Sequence, residues 1–208
     1  MKDLNKKSFL IFDLDGVVFD SKKNMEFAWN TTSKKFDLNV SFPEYFSKIG
    51  MPFLKILKSL GIKTDERIYK CYKEASIDKV HLIRPYKNVL NELKYLKKNK
   101  IKFSIVTSKD FKRTKYLLNK FRIQPSSIHC PNKKLKGKPH PDHLLYSLKK
   151  NKIKKKDAYF VGDTEIDFLA AKSAKIKFIF AKYGYGKNMK IYNYQISDFK
   201  QIRQIIKM

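Results

Sequence analysis

The chain has 208 residues, 42% of them hydrophobic and 14% aromatic, which is enough to bury one core with a small accessory domain and excludes a disordered protein. It has no run of about 18 apolar residues, so no membrane-spanning helix is expected, and its short N-terminal apolar stretch is interrupted by Asp13, unlike a signal peptide. The net charge is +28, but only five of the 47 basic residues are arginine and the lysines are spread along the chain, which favours solvated surfaces over a nucleic-acid site.

The first predicted element is a buried strand, the apolar run 9–12, and two carboxylates follow where it ends. Asp13 and Asp15 are two residues apart, so both side chains point to the same side and can address one site. Gly16 then lets the backbone turn away. Like charges this close need a cation, shared protons or basic neighbours, and Mg²⁺ is the simplest answer.

Residues 21–83 predict a small all-helical unit, which we call the helical insert. Apolar residues recur there at helical spacing, and breaks near residues 39–43, 50–52 and 61–64 divide the segment into about four helices. We therefore expect two domains: an α/β core formed by residues 1–20 and 84–208, and the insert after the first strand.

Strands and helices alternate through the rest of the chain. This spacing predicts an α/β fold with a Rossmann-like parallel sheet and helices on both faces. The predicted strands are 101–106, 127–130, 158–161, 176–181 and 196–198, and the predicted helices are 89–96, 111–121, 141–150, 166–174 and 202–206.

Three further polar fragments accompany this pattern. Thr107 and Ser108 follow a strand, where a hydroxyl and a backbone N–H can bind a phosphoryl oxygen, although such a pair also caps helices. We expect Lys109 and Asp110 to face solvent.

The other two fragments carry a lysine and two carboxylates. Lys138 stands between a glycine and a proline ahead of a helix. Gly162 lets the chain turn so that Asp163 projects towards the first carboxylates. Asp167 lies one helical turn later.

These four fragments, in this order, resemble the haloacid dehalogenase-like hydrolases over nearly the whole chain. The resemblance implies that Asp13 is a nucleophile forming an aspartyl phosphate and that Asp15 is the general acid and base. It also implies that Thr107, Ser108 and Lys138 bind phosphate, with Lys138 catalytic as well. A Mg²⁺ cofactor would be held by Asp13, the backbone carbonyl of Asp15 and Asp163, and Asp167 would orient Lys138 or bind through water.

The position of the helical insert resembles the helical-cap branch of that family, and the segments 49–52, 183–186 and 196–199 resemble its phosphoglycolate phosphatase-like members. This resemblance implies a Mg²⁺-dependent phosphatase acting on a small phosphate monoester, phosphoglycolate-like or a sugar phosphate. The expected partner is a small anionic metabolite. We expect no membrane contact, and nucleic acid is disfavoured despite the charge.

Two other functions stay open on sequence alone. A β-phosphoglucomutase-like sugar-phosphate mutase would use the same residues, and a non-catalytic basic nucleic-acid-binding protein would use none of them. The two cysteines, Cys71 and Cys130, lack metal-ligand spacing and indicate idle thiols in a reducing cytoplasm. We expect a monomer or a homodimer.

Overall fold

The computed structural model describes residues 8–186, 189 and 192–206. Its strands are β1 (Phe9–Phe12), β2 (Phe19–Asp20), β3 (Arg84–Pro85), β4 (Phe103–Val106), β5 (Ser127–His129), β6 (Ala158–Gly162), β7 (Lys177–Ala181) and β8 (Tyr194–Ile196). Its α-helices are α1 (Lys22–Lys35), α2 (Phe42–Phe46), α3 (Phe53–Ser59), α4 (Glu66–Asp78), α5 (Val89–Lys98), α6 (Phe111–Lys120), α7 (Asp142–Asn151), α8 (Glu165–Ala174) and α9 (Ile202–Ile205).

The main sheet has six strands in the order β5-β4-β1-β6-β7-β8, and neighbouring strands pair in parallel. Strand β1 lies at the centre, and the chain extends the sheet first towards β5 and then towards β8. Open α/β sheets bind ligands outside the carboxyl ends of their strands, where the strand order reverses. The residues that follow β1 are therefore placed where such a sheet forms a site.

The two faces of the sheet are covered by different helices, as the prediction of helices on both faces requires. Leu10 and Phe12 of β1 pack in a cluster with side chains of α5, α6 and α9. Phe9 and Ile11 point to the other face and pack in a cluster with α7 and α8. The fold class predicted from the sequence is confirmed.

Helices α1 to α4 of the helical insert pack on one another around a hydrophobic cluster separate from those of the sheet. Trp29 of α1 lies in this cluster, fully buried and stacked on Tyr45 at a ring distance of 4.3 Å. Within the part of the chain that the structure describes, no helix has the length and apolar character needed to cross a membrane.

The two chain connections to the helical insert pair with each other. Strand β2 runs antiparallel to β3, with Phe19 opposite Pro85 and Asp20 opposite Arg84. The sequence pattern did not predict this two-residue ladder, because it is too short to show periodicity. The last strand was predicted at 196–198 but lies at Tyr194–Ile196, two residues earlier.

Candidate active site

A small cavity of about 60 Å³ lies between the carboxyl ends of the central strands and the helical insert. Asp13, Asp15, Thr107 and Ser108 line it from the side of the sheet. The insert contributes mainly apolar and aromatic side chains, including Met25, Tyr45, Phe53 and Tyr72. The cavity therefore pairs a charged floor with an apolar wall.

Lys138 does not line the cavity but lies between two carboxylates, one of which is Asp13. Its Nζ is 2.9 Å from Asp13 Oδ1 and 2.6 Å from Asp167 Oδ1. The lysine is 2% exposed, so the charge is withdrawn from water and depends on these two partners. Burial alone would lower the pKa of Lys138, but the adjacent carboxylates outweigh it and raise the pKa. The lysine is thus held in its charged form.

The second oxygen of Asp167 is used by the start of helix α8. Asp167 Oδ2 accepts hydrogen bonds from the backbone N–H groups of Asp163 and Thr164, at 3.3 and 3.1 Å, and from the Thr164 hydroxyl at 2.7 Å. Thr164 and Asp167 together form a capping box. Both Asp167 oxygens therefore have protein partners, and this side chain serves to hold Lys138 and the turn that carries Asp163.

Asp163 is fully buried and has one engaged oxygen and one without a partner. Its Oδ2 accepts a hydrogen bond from the backbone N–H of Tyr185 at 2.7 Å, whereas Oδ1 has none within the described residues. Within the described residues, Asp13 Oδ1 also lacks a well-directed hydrogen bond, although Lys138 Nζ lies 2.9 Å from it. One carboxylate oxygen from each of Asp13, Asp163 and Asp167 lies within 4.8 Å of the other two.

This carboxylate cluster fits a small hard cation such as Mg²⁺. Buried polar atoms without partners are rare in proteins and call for an explanation such as an ion. Burial is the main reason that the pKa of Asp13 is raised, to about 7, and that the pKa of Asp163 lies well above its usual range. Mutual repulsion with Asp167 adds to both shifts. A divalent cation would remove this repulsion and stabilise the charged carboxylates.

Asp15 also lines the cavity and is held by two residues. Its Oδ2 is 3.1 Å from Lys109 Nζ, and its Oδ1 accepts a hydrogen bond from the Ser21 hydroxyl at 2.5 Å. The prediction that Lys109 faces solvent is wrong, because this side chain is 6% exposed and turns inward to pair with Asp15. Burial lowers the pKa of Lys109 despite the pairing.

Asp110, the other residue predicted to face solvent, is half-buried and forms the N-cap of helix α6. Its side chain accepts a hydrogen bond from the Arg113 backbone N–H at 3.0 Å and pairs with the Arg113 guanidinium at 2.5 Å. Arg113 is itself buried and lines the cavity next to the Tyr72 ring.

The two residues predicted to bind phosphate, Thr107 through its hydroxyl and Ser108 through its backbone amide, both line this cavity. Thr107 follows β4, and its Oγ1 accepts a hydrogen bond from the Lys109 backbone N–H at 3.1 Å. The Ser108 hydroxyl donates to the carbonyl of Gly50, in the helical insert, at 2.6 Å. Ser108 thus connects sheet and insert with its side chain and leaves its backbone N–H as the group to offer a ligand.

The site also contains residues that sequence reasoning did not identify. Lys109, Ser21 and Tyr185 contact Asp15 or Asp163 directly. Lys109 directly follows Thr107 and Ser108, so proximity to a motif was the available signal. Nothing in the local sequence relates Tyr185 to Asp163, which is 22 residues away.

Comparison with known proteins gives consistent results. The sequence pattern of the haloacid dehalogenase-like hydrolase family matches residues 10–181. The chain is 29% identical to the phosphoglycolate phosphatase of Aquifex aeolicus over 195 residues, covering 91% of this chain and 90% of that protein. It is also 29% identical over 180 residues to a candidate pyrophosphatase, PpaX, of Clostridium perfringens, covering 84% and 83%.

Among solved structures, a hydrolase from Pseudomonas syringae superimposes with a TM-score of 0.86 at 24% identity. The superposition covers 97% of this chain and 99% of the other. At that level of identity the similarity concerns the fold.

Proposed function

The chain belongs to the haloacid dehalogenase-like hydrolases and is a phosphatase, and on that premise we propose that it hydrolyses a small phosphate monoester through a phosphoaspartate on Asp13 in the presence of Mg²⁺. One observation carries the proposal. Asp13 is buried beside the charged Lys138 and next to Asp163, and each of the two carboxylates has an oxygen that accepts no hydrogen bond from the residues the structure describes. This is the arrangement needed by a nucleophile whose negative charge must be balanced.

In the first step an Asp13 carboxylate oxygen attacks phosphorus, and the bond from phosphorus to the ester oxygen breaks. Asp15 gives its proton to the departing alcohol oxygen. In the second step Asp15, now a carboxylate, takes a proton from water as that water attacks phosphorus. The bond between phosphorus and Asp13 then breaks and frees inorganic phosphate. Asp13 is again a carboxylate, and Asp15 again carries the proton that it took from water.

The remaining polar residues bind and orient the phosphoryl group. Lys138 neutralises charge on Asp13 and on the phosphoryl oxygens as a point charge, and Asp167 keeps its ammonium in place. The Thr107 hydroxyl and the Ser108 backbone N–H supply hydrogen bonds. Mg²⁺, held by Asp13, the Asp15 carbonyl and Asp163, would supply positive charge for the phosphoryl oxygens.

The walls of the cavity and the relatives support a proposal for the substrate class. We propose that the helical insert closes over the site and that the substrate is a small phosphorylated metabolite, with phosphoglycolate the first compound to test because of the Aquifex aeolicus relative. The two cysteines are free and buried, which supports our proposal of a reducing cytoplasmic compartment.

The test is phosphate release from a panel of phosphomonoesters, with and without Mg²⁺. The panel contains phosphoglycolate, sugar phosphates and nucleoside monophosphates, together with pyrophosphate because of the PpaX relative. We expect metal-dependent release with one preferred substrate.

Asp13→Asn is the control, because the amide keeps the shape of the side chain but is a poor nucleophile. Its turnover should fall by about 10⁴-fold or more. Substantial activity in Asp13→Asn would refute the nucleophile, and full activity in a chelator would refute the metal. No release from any compound would direct the search to sugar-phosphate mutase activity.

A further inference from the structure

The loop of residues 183–186, which we call the clasp loop, follows β7 and contacts both the site and the connection to the helical insert. The backbone N–H of Tyr185 donates to Asp163 Oδ2 at 2.7 Å. The Tyr183 hydroxyl donates to the carbonyl of Val17 at 3.0 Å. The loop fits tightly, since a Cβ on Gly184 would lie 2.4 Å from Asp163 Cβ and 2.5 Å from the Gly16 carbonyl oxygen.

The side chain of Tyr185 extends from this loop to the first residue of the helical insert. Its hydroxyl accepts a hydrogen bond from the Ser21 backbone N–H at 2.6 Å. It also lies 3.4 Å from the Phe19 carbonyl oxygen and from Asp20 Oδ1, both in β2. The Ser21 hydroxyl in turn donates to Asp15 Oδ1. Hydrogen bonds therefore lead from Asp163 through Tyr185 and Ser21 to Asp15, joining two carboxylates of the site by way of the insert connection.

This contact lies at the point where the helical insert would pivot. Ser21 follows β2 and directly precedes helix α1, and it is fully buried. The Tyr185 ring also meets the edge of Phe46, from helix α2, at a ring distance of 5.2 Å. If the insert moved away from the sheet, the Ser21 N–H would exchange the tyrosine hydroxyl for water. Of the contacts made by this hydroxyl, the bond from the Ser21 N–H is therefore the one that depends on the closed arrangement.

We propose that Tyr185 is a positioning residue that couples cation binding at Asp163 to closure of the helical insert over the site. The inference rests on the proposed function. A ligand shifts a conformational equilibrium only when it binds one state better. The same residue orients Asp163 with its backbone and holds Ser21 with its side chain, so a cation at Asp163 favours the loop position that keeps the insert closed.

Tyr185→Phe separates the two contacts, because it removes only the hydroxyl and keeps the backbone N–H. The substitution then removes a hydrogen bond to the Ser21 N–H that exists only when the insert is closed. The fraction of molecules with a closed insert therefore falls. We expect KM to rise about tenfold while kcat stays within about twofold, since substrate binding must first close the insert. The matched control is Tyr183→Phe, which removes a hydroxyl from the same loop that bonds to Val17 and not to the insert. Both constants should stay within about twofold of the wild type.

A second measurement needs no activity. Hydrogen exchange in a peptide spanning residues 19–24 should be slowed by Mg²⁺ in the wild type and in Tyr183→Phe. In Tyr185→Phe it should be fast and hardly changed by Mg²⁺. Mg²⁺ binding itself is measured separately by calorimetry.

The outcomes distinguish failure of this inference from failure of the proposed function. If the wild type binds Mg²⁺ and hydrolyses its substrate but Tyr185→Phe keeps its KM and its exchange response, Tyr185 is only structural and the coupling is refuted. A lower melting temperature alone, with KM unchanged, also refutes the coupling. If the wild type binds no Mg²⁺, the proposed metal site fails and the coupling fails with it.

Discussion

Lys109 shows how the environment of one residue can reverse the expectation from its type. In a chain with 47 basic residues, a lysine after a strand is expected at the surface. Here the Lys109 ammonium lies 3.1 Å from Asp15 Oδ2, with only 6% of the residue exposed. The carboxylate proposed as the general acid and base therefore has a lysine on one oxygen and Ser21 on the other.

Replacing Lys109 tests whether this pairing positions Asp15. In Lys109→Met a side chain of similar length fills the space, but Asp15 loses its ionic partner in a mostly buried position, so the melting temperature should fall as well. Asp15 would lose its orientation, and we expect kcat to fall about 10- to 100-fold. The measurement is steady-state kinetics with a thermal unfolding curve.

The matched control is Lys112→Met, which removes the same charge from an exposed position of helix α6. It should leave kcat unchanged. Equal losses in the two variants would mean that the change in net charge, and not the contact with Asp15, is responsible.

The residues that sequence reasoning reached at this scale are those whose position follows from a strand end. Asp13, Asp15, Thr107 and Asp163 each stand just beyond a buried apolar run, and the parallel sheet brings such ends to one edge. Lys138 was identified by its resemblance to a family motif. Ser21 and Tyr185 were not reached, because their contacts join segments whose separation along the chain carries no periodic signal.

At the scale of elements, the glycines of two loops decide how closely the chain approaches Asp163. A Cβ on Gly16 would lie 2.1 Å from Asp163 Oδ2, and one on Gly186 would lie 1.9 Å from the Asp163 carbonyl oxygen. The clasp loop and the turn after β1 can enclose the carboxylate only because they carry no side chain there. The sequence shows these glycines but does not indicate which carboxylate they surround.

Gly184→Ala is expected to disturb Asp163 by steric conflict. The added methyl group would meet the Asp163 side chain and the Gly16 carbonyl, and a backbone group cannot yield cheaply. Overpacking of this kind costs about 1 to 3 kcal/mol. We therefore expect a lower melting temperature and Mg²⁺ binding weakened by about tenfold or more, measured by calorimetry.

Gly61→Ala provides the contrast, because a Cβ there meets nothing within 4 Å although φ is +73°. It should carry only the cost of a left-handed backbone, about 1 kcal/mol, with Mg²⁺ binding unchanged. If Gly184→Ala binds Mg²⁺ as the wild type does, the close packing is not what places Asp163.

The elements themselves were largely predictable, since the parallel strands are short apolar runs and the helices carry amphipathic spacing. The short ladder of β2 and β3 was not, and it is the ladder that joins the helical insert to the sheet. Two residues per strand give no periodicity, and pairing between segments more than 60 residues apart depends on tertiary structure. Local patterns therefore describe the two units better than their junction.

At the scale of the whole molecule, the net charge of +28 predicts a positive field that would attract a small anionic substrate. Five lysines concentrate around a groove near the start of β1, at the edge of the sheet opposite to the candidate site: Lys100, Lys102, Lys152, Lys154 and Lys156. Strand β6 spans five residues, so the groove and the site are separated by a strand length of about 16 Å. Their influence on a substrate must therefore depend on ionic strength.

Salt provides the test of this long-range effect. The Debye length is about 30 Å at 0.01 M salt but about 8 Å at 0.15 M, so distant lysines act on a substrate only in dilute salt. We expect kcat/KM of the wild type to fall about three- to tenfold between these concentrations, with kcat nearly constant, because attraction changes encounter and not chemistry. The comparison is made at constant Mg²⁺.

A variant without the five lysines shows whether the salt dependence of kcat/KM comes from these distant charges or from other charges. Asparagine suits Lys100 and Lys152, whose φ values of +57° and +56° it accepts, and glutamine suits the other three. This variant should match the wild type at about 0.15 M salt and show a lower kcat/KM in dilute salt, because only there does the field of these lysines reach the site. An unchanged kcat/KM in dilute salt would instead mean that these five lysines have no part in substrate capture. Charges elsewhere, such as Lys109, Arg113 and Lys138 beside the site, would then be the ones to replace next.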